Sequence, residues 1–434
     1  MNMRRIIKTR IFSLALALIF ALVLCPVRTQ AAVKASYSAQ TLIFNEKSVS
    51  LDTYNIGGYN YFRLRDVAAL MKDTIYRFSL ETDSASRLVR AKRFGPCADT
   101  LTPGGRDLSK TAQESAWKLS VDGKNVPCAV YNIGGSNFYR LRDLASAFGF
   151  AVGYDQDRKA VLVAAEPLSG TEEQEEACFA ALEALYTARD FEKGASLLAD
   201  AAKLGSARAL FELGEGYYAG LYGIKQDDAK AAEYARASAE GGNARVMYLY
   251  ALLLYKGQGV KTDKSAALSW FEKAADAGNV QAQSFLGAQY YAGEAVEQSY
   301  SRAWAYAKPA ADFGDARACY TAGRCLYFGY GTMQNAKRAV SCFLTAADGG
   351  ILEALHALGV CYYHGKGVDF NPYIAFHYFS LAADAGYAPS AYNAGVMCAQ
   401  GVGTEKDMEK AKAYMRAAAD GGVKEAEAWL GEYK

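Results

Sequence analysis

The sequence predicts a multi-domain protein, in which a small α+β N-terminal domain with duplicated ββαββ halves is followed by an all-α solenoid of paired helices. Two internal repeats lead to this prediction. A segment of the N-terminal part returns 77 residues later, and residues suited to start and stop a helix recur every 36 residues through the C-terminal part. A fixed period of this length is the sequence signature of a stacked repeat array, and 434 residues are enough for two or three domains.

Residues 1–31 have the three-part pattern of a secretory signal peptide. Basic residues precede an apolar run from Ile11 to Leu24, and small residues follow. The run is shorter than the ~20 residues that a transmembrane helix needs. We therefore expect an extracytoplasmic protein, secreted or associated with the cell envelope, whose signal segment is cleaved or retained as a membrane anchor. Cys25 is followed by Pro26 and preceded by a bulky residue, so the small-residue context of a lipidation site is missing.

Charge and cysteine usage exclude several classes of protein. Without residues 1–31 the chain carries 43 Lys and Arg residues against 46 Asp and Glu residues, which argues against a nucleic-acid partner. The cysteines show no Cys-x-x-Cys pair and no paired metal-ligand spacing. Cys97 and Cys128 lie in the N-terminal domain and can pair in an exported protein. Six more fall in the helical repeats, where small buried apolar residues are expected: Cys178, Cys319, Cys325, Cys342, Cys361 and Cys398.

The N-terminal domain, residues 36–165, contains the 77-residue repeat. Residues 54–68 read YNIGGYNYFRLRDVA, and residues 131–145 read YNIGGSNFYRLRDLA. A hairpin pattern precedes each copy, and a short helix and a second pair of strands follow it. The predicted elements are hairpins at 42–51 and 119–130, helices at 66–71 and 143–148, and strand pairs at 76–80 with 88–91 and 151–154 with 160–163.

These two motifs, each flanked by a hairpin of the VDGK type, resemble the copper amine oxidase N-terminal-like domain of exported bacterial proteins. The stretch LTPGGRDL at residues 101–108 is similar to that family as well. The resemblance implies a non-catalytic, stalk-like module without a copper site. The residues agree with this, because residues 1–355 contain no His and protein copper sites depend heavily on imidazole.

Four arginines of the paired motifs have two interpretations: Arg63, Arg65, Arg140 and Arg142. Together with the nearby Tyr and Phe residues they suit a site for acidic wall polymers or glycans. In the other interpretation, the aromatic residues pack the sheet and the arginines pair with Asp66 and Asp143. A cell-wall or carbohydrate-binding protein acting through this domain is therefore an alternative function.

The solenoid follows a linker at residues 166–171 and extends over residues 172–434. Thr171 and Gln174 form a capping box that starts its first helix. A degenerate helix pair precedes six full repeats, and a charged C-terminal helix closes the array. The repeats are residues 207–243, 244–279, 280–315, 316–351, 352–387 and 388–423. The first has one extra residue between Gly220 and Asp227, and Pro309 predicts a kink in the third.

The repeats share one plan. The first helix carries a Leu-Gly step or its equivalent and an aromatic pair, a glycine turn follows, and the second helix starts at a capping residue and ends in Gly. The third repeat departs from this plan, because Gly293-Glu294-Ala295 lacks the second Gly of the turn. The capping residues are Asp227, Asp263, Ser299, Asn335, Asn371 and Asp407. The mid-helix Gly recurs at 287, 323, 359, 395 and 431, which predicts close helix–helix approach. These features resemble the Sel1-like repeat, a relative of the tetratricopeptide repeat, and imply a solenoid that binds proteins.

The sequence offers no recognisable catalytic site, cofactor site or metal site. The Gly-x-Gly turns join helix to helix and lack the Lys-Ser/Thr of a phosphate loop. The three histidines, His356, His364 and His377, all lie in the fifth repeat, with the first two ~12 Å apart on one helix. They therefore suit neither one zinc ion nor a catalytic triad. We expect a non-enzyme, and an enzyme of unrecognised type is the remaining alternative.

A partner-binding face is predicted opposite the aromatic columns of the first helix in each repeat. Its candidate residues are Arg245, Leu249, Leu252, Phe285, Arg317, Arg324 and Phe328. Arginine and aromatic residues are typical anchors of protein interfaces. The hypothesis is a protein or peptide partner with apolar and acidic side chains. In the other interpretation, the four apolar members pack on neighbouring repeats.

Overall fold

The computed structural model describes residues 33–433 except for positions 35, 38–40, 46, 50, 58, 75, 84, 94–110, 122–123, 134–135, 156, 158–159, 165–169 and 242–243. The predicted signal segment, Cys97, the stretch at 101–108 and most of the predicted linker lie outside the described residues. Contacts divide the chain into two units. The first comprises residues up to Leu42 and Lys47–Phe150, and the second comprises Ile43–Glu46 and Ala151–Lys434.

Fifteen short strands and two helices precede the solenoid helices in the described part of the chain. The strands are β1 Val33–Lys34, β2 Ser36–Tyr37, β3 Thr41–Phe44, β4 Lys47–Val49, β5 Thr53–Ile56, β6 Tyr59–Arg63, β7 Phe78–Asp83, β8 Leu88–Arg93, β9 Thr111–Glu114, β10 Lys118–Val121, β11 Lys124–Val126, β12 Val130–Ile133, β13 Ser136–Arg140, β14 Ala151–Asp155 and β15 Ala160–Ala164. The helices are α1 Leu64–Met71 and α2 Leu141–Phe148.

The duplicated motif lies at the centre of a seven-stranded sheet. Its order is β1-β9-β12-β13-β6-β5-β2, so that equivalent strands of the two halves are arranged symmetrically about the antiparallel pair β13–β6. In that pair Tyr139 lies opposite Phe62. The rings of Tyr54 and Phe138, one from each half, pack at 5.0 Å between centroids in the core. The two copies of the duplicated motif therefore form one continuous sheet.

The remaining strands are exchanged between the halves. Hairpin β10–β11 of the second half joins β7–β8 of the first half through the parallel pair β10–β8, in the order β11-β10-β8-β7. The third sheet has the order β14-β15-β3-β4 and combines the opposite halves. The hairpins agree with the sequence prediction, whereas the exchange is a feature that the sequence pattern did not indicate.

The solenoid is a succession of paired helices, which confirms the predicted fold class. Its helices are α3 Glu172–Leu182, α4 Phe191–Lys203, α5 Ala207–Ala219, α6 Asp228–Glu240, α7 Ala244–Lys256, α8 Lys264–Asp276, α9 Val280–Ala292, α10 Tyr300–Asp312, α11 Ala316–Phe328, α12 Ala336–Asp348, α13 Leu352–His364, α14 Pro372–Asp384, α15 Ala388–Gln400, α16 Met408–Asp420 and α17 Lys424–Glu432. A π-helical segment, Glu183–Ala188, extends α3. We call the first helix of each full repeat (α5, α7, α9, α11, α13, α15) its A helix and the second its B helix.

The division of the chain by contacts falls ahead of hairpin β14–β15. Hairpin β14–β15 groups with the solenoid, because Asp157 in its turn forms ion pairs with Lys308 (3.5 Å) and Arg338 (2.9 Å). A Cβ atom on Gly153 would overlap the backbone carbonyl of Asp312, so the strand lies directly against α10. The contacts therefore place the division at Phe150, ahead of the hairpin.

The 36-residue spacing of capping residues is confirmed. Each predicted residue caps its B helix, with a side-chain oxygen that accepts a hydrogen bond from a backbone N–H three positions later. In repeats two to six the capping residue also donates its own N–H to a carbonyl nine positions earlier, as in Asn335 to Leu326 at 2.8 Å. In the first repeat Asp227 donates to Tyr217, ten positions earlier. The extra residue is thus absorbed by the turn, where Tyr222 has a φ of +57°.

Glycine permits two close approaches in each of the fourth, fifth and sixth repeats. In the A helix of the fifth repeat, a Cβ atom on Gly359 would lie 2.6 Å from the Phe379 ring of the B helix. In the turn, a Cβ atom on Gly367 would overlap the carbonyl oxygen of Ala336, which starts the B helix of the preceding repeat. The first glycine therefore joins the two helices of one repeat, and the second joins successive repeats.

The helix of the third repeat in which a proline predicts a kink continues past that proline. Pro309 lies within α10, which ends at Asp312.

Among the described residues, no helix combines the length and the apolar character needed to cross a bilayer.

Candidate partner-binding face

The seven predicted binding residues lie on three successive A helices, α7, α9 and α11. The structure does not bring all seven to the surface. Leu249 is 9% exposed and belongs to a core cluster with Phe211 and Val246, so it stabilises the stacking of the first two repeats. The prediction that its side chain is available to a partner is therefore corrected by its packing.

Two further members of the set pack mainly on other repeat residues. The Phe285 ring lies 4.3 Å from the Phe271 ring and 5.5 Å from the Tyr255 ring, both of which belong to the preceding repeat. Leu252 is partly buried against the core cluster that contains Phe271. These two side chains and Leu249 therefore pack on neighbouring repeats, as in the second interpretation of the apolar members.

The arginines remain accessible, and aromatic rings hold two of them, Arg245 and Arg324, in position. Arg245 keeps 48% of its side chain exposed, while its guanidinium carbon lies 4.9 Å from the centre of the Phe211 ring. One of its terminal nitrogens is 3.8 Å from Glu215 Oε2. Burial raises the pKa of Glu215, and the charge of Arg245 opposes that effect. The guanidinium is thus positioned by a ring of the preceding repeat and a nearby carboxylate.

Arg324 repeats this arrangement two repeats further on. Its guanidinium carbon lies 4.2 Å from the centre of the Tyr291 ring and 5.7 Å from that of Tyr320. Burial raises the pKa of Tyr291 to about 12, and the charge of Arg324 opposes the shift. Arg317, near the start of α11, is exposed, and its charge likewise opposes the rise that burial causes in the pKa of Tyr248. A cation held over a ring is stabilised by the negative face of its π-system.

Phe328 ends the same helix and is the most exposed apolar member of the set, at 48%. Its ring packs beside Tyr330 at 5.2 Å, and the ammonium of Lys366 lies 5.9 Å from its centre. The accessible part of the predicted set therefore consists of Arg245, Arg317, Arg324 and Phe328.

A buried polar cluster lies at the start of the array. The Glu212 carboxylate is 1% exposed and forms an ion pair with Arg208 at 2.5 Å. It also accepts hydrogen bonds from the hydroxyls of Tyr222 (2.8 Å) and Tyr186 (3.4 Å). Tyr222 belongs to the lengthened first turn and Tyr186 to the π-helical segment. These irregular segments thus satisfy a buried charge, which is costly without partners.

Where the structure describes their contacts, the N-terminal arginines pair with carboxylates, as in the second interpretation. Arg63 forms ion pairs with Asp66 (2.7 Å) and Asp52 (3.1 Å), and Arg140 forms one with Asp143 (2.6 Å). Arg140 also lies 5.0 Å from the centre of the half-exposed Tyr59 ring. Arg65 and Arg142 are exposed.

The described residues contain no group of three or more His, Cys, Asp and Glu side chains that could hold a metal ion. Of the three histidines, His356 is partly buried, with Nδ1 2.9 Å from the hydroxyl of Ser390. Cys178, Cys319, Cys325, Cys361 and Cys398 are buried free thiols, as the sequence predicts, while Cys342 is partly buried.

Comparison with known proteins accounts for the repeat architecture. The Sel1 repeat model matches residues 207–243, 244–279, 280–315, 316–351, 352–387 and 388–423, which together make up half of the chain. The chain belongs to the Sel1 repeat family. The matched bounds of these Sel1 repeats coincide with those predicted from the spacing of caps and glycines. A search of curated protein sequences finds no match.

Two of the solved structures similar to this Sel1 repeat protein come from Escherichia coli and Oxalobacter formigenes. One is c5321, a protective antigen of uropathogenic Escherichia coli strains displaying an SLR fold, with 25% identity and a TM-score of 0.50. The match covers 61% of this chain and 56% of that one. Another is a Sel1 repeat protein from Oxalobacter formigenes, with 26% identity, a TM-score of 0.47, and coverage of 56% and 96% respectively. The chain thus spans little more than half the length of c5321.

Two features of the surface were missed by sequence reasoning. The aromatic rings under the arginines were assigned to the core-facing columns, although Tyr291 supports Arg324 of the next repeat. The exposed Met333, Phe370 and Tyr373 were not singled out. Comparing each turn position across the repeats would have found them, because the equivalent positions of repeats two to six are otherwise polar.

Proposed function

We propose that this Sel1 repeat protein is an exported, non-catalytic scaffold that binds a protein or peptide partner through the A-helix face of α7 to α11. The observation that carries the proposal is the pair of guanidinium groups held over aromatic rings, exposed Arg245 over Phe211 and half-buried Arg324 over Tyr291. Sel1 repeat proteins are generally protein-interaction scaffolds, which supports the same function.

Fixed guanidinium groups favour an acidic partner. A flexible arginine loses side-chain entropy when it binds, and a ring that already restricts its motion reduces this cost. The guanidinium plane can donate two parallel hydrogen bonds to a carboxylate. With exposed Arg317 between Arg245 and Arg324 in sequence, the face offers three guanidinium groups on two A helices. We therefore expect the partner to present carboxylates beside apolar side chains, with Phe328 as the aromatic contact.

Charge reversal tests this function. The variant Arg245→Glu/Arg317→Glu/Arg324→Glu should lose the captured partner by at least about tenfold, because opposed charges are replaced by like charges. The measurement is crosslinking in the cells that make the protein, followed by quantitative mass spectrometry of proteins recovered with the full chain. Arg236→Glu, on the exposed side of a B helix, is the matched control. Equal recovery by the triple variant and the wild type would contradict the proposal.

Export is proposed from residues 1–31, which have the pattern of a signal peptide. Cell fractionation should recover the protein outside the cytoplasm, and the mass of the mature chain should show whether the segment is removed. A protein that is recovered from the cytoplasm with residues 1–31 intact would contradict this part of the proposal.

A second candidate function is binding of a cell-wall polymer or glycan by the N-terminal domain, which resembles the copper amine oxidase N-terminal-like domain. The half-exposed Tyr59 ring with Arg140 at 5.0 Å favours it, since such a pair can stack on a sugar and contact an acidic group. Sedimentation of the full chain with purified wall material tests this function. Tyr59→Ser should reduce binding, and equal sedimentation of both proteins would exclude a role for this ring.

A further inference from the structure

The turns between the A and B helices of the fourth and fifth repeats carry an unusual set of exposed apolar side chains. We call this set the turn-edge patch: Phe328, Tyr330, Met333, Phe370 and Tyr373. Met333 is 88% exposed, Tyr373 72% and Phe370 63%. Single exposed apolar residues are common on proteins, so exposure alone decides nothing. Their clustering in two adjacent turns is what requires an explanation.

Comparison among the repeats shows that three of these side chains, Met333, Phe370 and Tyr373, are not required by the fold. At the position of Met333, repeats two, three, five and six have Lys261, Glu297, Asp369 and Glu405. At the position of Phe370 the same comparison gives Thr262, Gln298, Gln334 and Lys406. At the position of Tyr373 it gives Ser265, Ser301, Lys337 and Glu409. A polar residue therefore suits each of these positions, and the apolar substitutions leave large side chains in water.

Two residues of the turn-edge patch, Phe328 and Tyr330, connect it to the A-helix face. Phe328 is the last residue of α11, one turn of helix beyond Arg324, and its ring packs on Tyr330 at 5.2 Å. Tyr330 in turn stacks on Tyr300 at 4.3 Å. The surface on which we propose partner binding thus extends around the end of α11 onto the turns.

Two lysines lie beside the turn-edge patch. The ammonium of Lys366 is held 3.8 Å from the centre of the Tyr327 ring, next to Phe328, and Lys337 is exposed at the start of α12. Asp369 is the carboxylate of these two turns, so the segments 328–337 and 365–373 together carry one net positive charge. A neighbouring cation favours carboxylates over ammonium groups on whatever covers the rings.

From the apolar substitutions, the link to the end of α11 and the two lysines, we infer that the turn-edge patch is a second interaction surface, which takes an acidic amphipathic segment of a protein partner. Apolar side chains of the segment cover Met333, Phe370 and Tyr373, and its carboxylates face Lys366 and Lys337. The inference rests on the proposed protein-binding function for its class of partner. It adds a surface with its own residues, which can fail independently of the A-helix face.

The test uses the full chain and two synthetic peptides of about sixteen residues, long enough to form an amphipathic helix. Both peptides have Leu and Phe on one face; one has Glu and the other Lys on the opposite face. Fluorescence anisotropy should show binding of the Glu peptide and at least about tenfold weaker binding of the Lys peptide. Met333→Gln/Phe370→Ser/Tyr373→Ser should weaken binding of the Glu peptide by about tenfold. Phe191→Ser/Leu204→Ser, which removes apolar side chains exposed elsewhere in the solenoid, should leave it unchanged.

Charge reversal separates this surface from the A-helix face. Lys337→Glu/Lys366→Glu should weaken binding of the Glu peptide and strengthen binding of the Lys peptide. If Arg245→Glu/Arg317→Glu/Arg324→Glu abolishes binding of the Glu peptide and the turn-edge variants do not weaken it, the proposed function stands and the turn-edge inference is wrong. The inference is also wrong if that variant loses partner capture while neither peptide binds the wild type. Binding of the chain to vesicles containing roughly one-third phosphatidylglycerol, removed by the turn-edge substitutions without any peptide binding, would assign the patch to lipid and overturn the inference.

Discussion

The guanidinium carbon of Arg324 lies 4.2 Å from the centre of the Tyr291 ring, and the two residues belong to successive repeats. A contact of this kind depends on how the repeats stack, so the surface available to a partner is linked to the packing of the array. The ring face, and not the hydroxyl, makes the contact. This distinction can be tested by two substitutions at one position.

Tyr291→Phe keeps the ring face under Arg324 and should retain partner capture, with the free energy of unfolding changed by less than about 1 kcal/mol. Tyr291→Leu removes the ring and leaves space in the core, and it should lower the free energy of unfolding by about 2 kcal/mol and reduce capture. Urea denaturation and the crosslinking experiment measure the two effects. Equal loss of capture in both variants would show that the hydroxyl is required.

Gly359→Ala should destabilise the solenoid although alanine favours helix. The added Cβ atom would lie 2.6 Å from the Phe379 ring, and the overlap should cost roughly 1–3 kcal/mol. Gly431→Ala is the matched control, since a Cβ atom there meets nothing within 4 Å in the C-terminal helix. Its unfolding midpoint should stay the same or rise slightly. If both variants behave alike in urea denaturation, close helix approach is not the reason for the recurring glycine.

Asp263→Ala should lower the free energy of unfolding by about 1 kcal/mol. The Asp263 side chain accepts a hydrogen bond of 2.9 Å from the N–H of Ala266 at the start of α8, and alanine leaves that donor without its cap. Asp263→Asn keeps an acceptor in the same place and should behave nearly as the wild type. Thermal and urea unfolding of the three proteins tests this order of stability. An alanine variant as stable as the wild type would contradict the prediction.

His356 should contribute to a loss of stability in mild acid. Burial lowers the pKa of His356 below its ordinary value of 6.5, so that the unfolded chain takes up a proton that the folded chain does not as pH falls through 6.5. The free energy of unfolding therefore decreases below about pH 6.5 on account of this residue. His356→Asn offers Ser390 a polar partner without titrating. Urea denaturation at pH 7 and pH 5 should show a smaller loss for the variant, and equal losses would contradict the assignment.

The regular part of the solenoid could be predicted because its local signals repeat. Asp263 and Asn335 are caps by their own chemistry, and Gly359 marks a close approach wherever a helix pair is expected. The exchange of strands in the N-terminal unit could not be predicted in this way. Alternation and turn residues define β10–β11 as a hairpin, whereas its pairing with β8 depends on the two halves together.

The candidate site was predicted in part for a similar reason. A helical wheel separates the face of α7 from its own B helix, which correctly leaves Arg245 accessible. It says nothing of the neighbouring A helix, and contact with Phe211 of that helix buries Leu249. The wheel of α11 likewise cannot show that Arg324 is supported by a ring from α9.

The lengthened first turn has a practical meaning for how this array can change. Asp227 still closes the turn by donating to Tyr217, although one more residue intervenes than in the other repeats, and α6 begins in the usual manner. A longer turn therefore does not change how the next helix begins at its capping residue. Evolution can thus vary recognition at the turns of one repeat while the stacked helices beneath them are inherited unaltered.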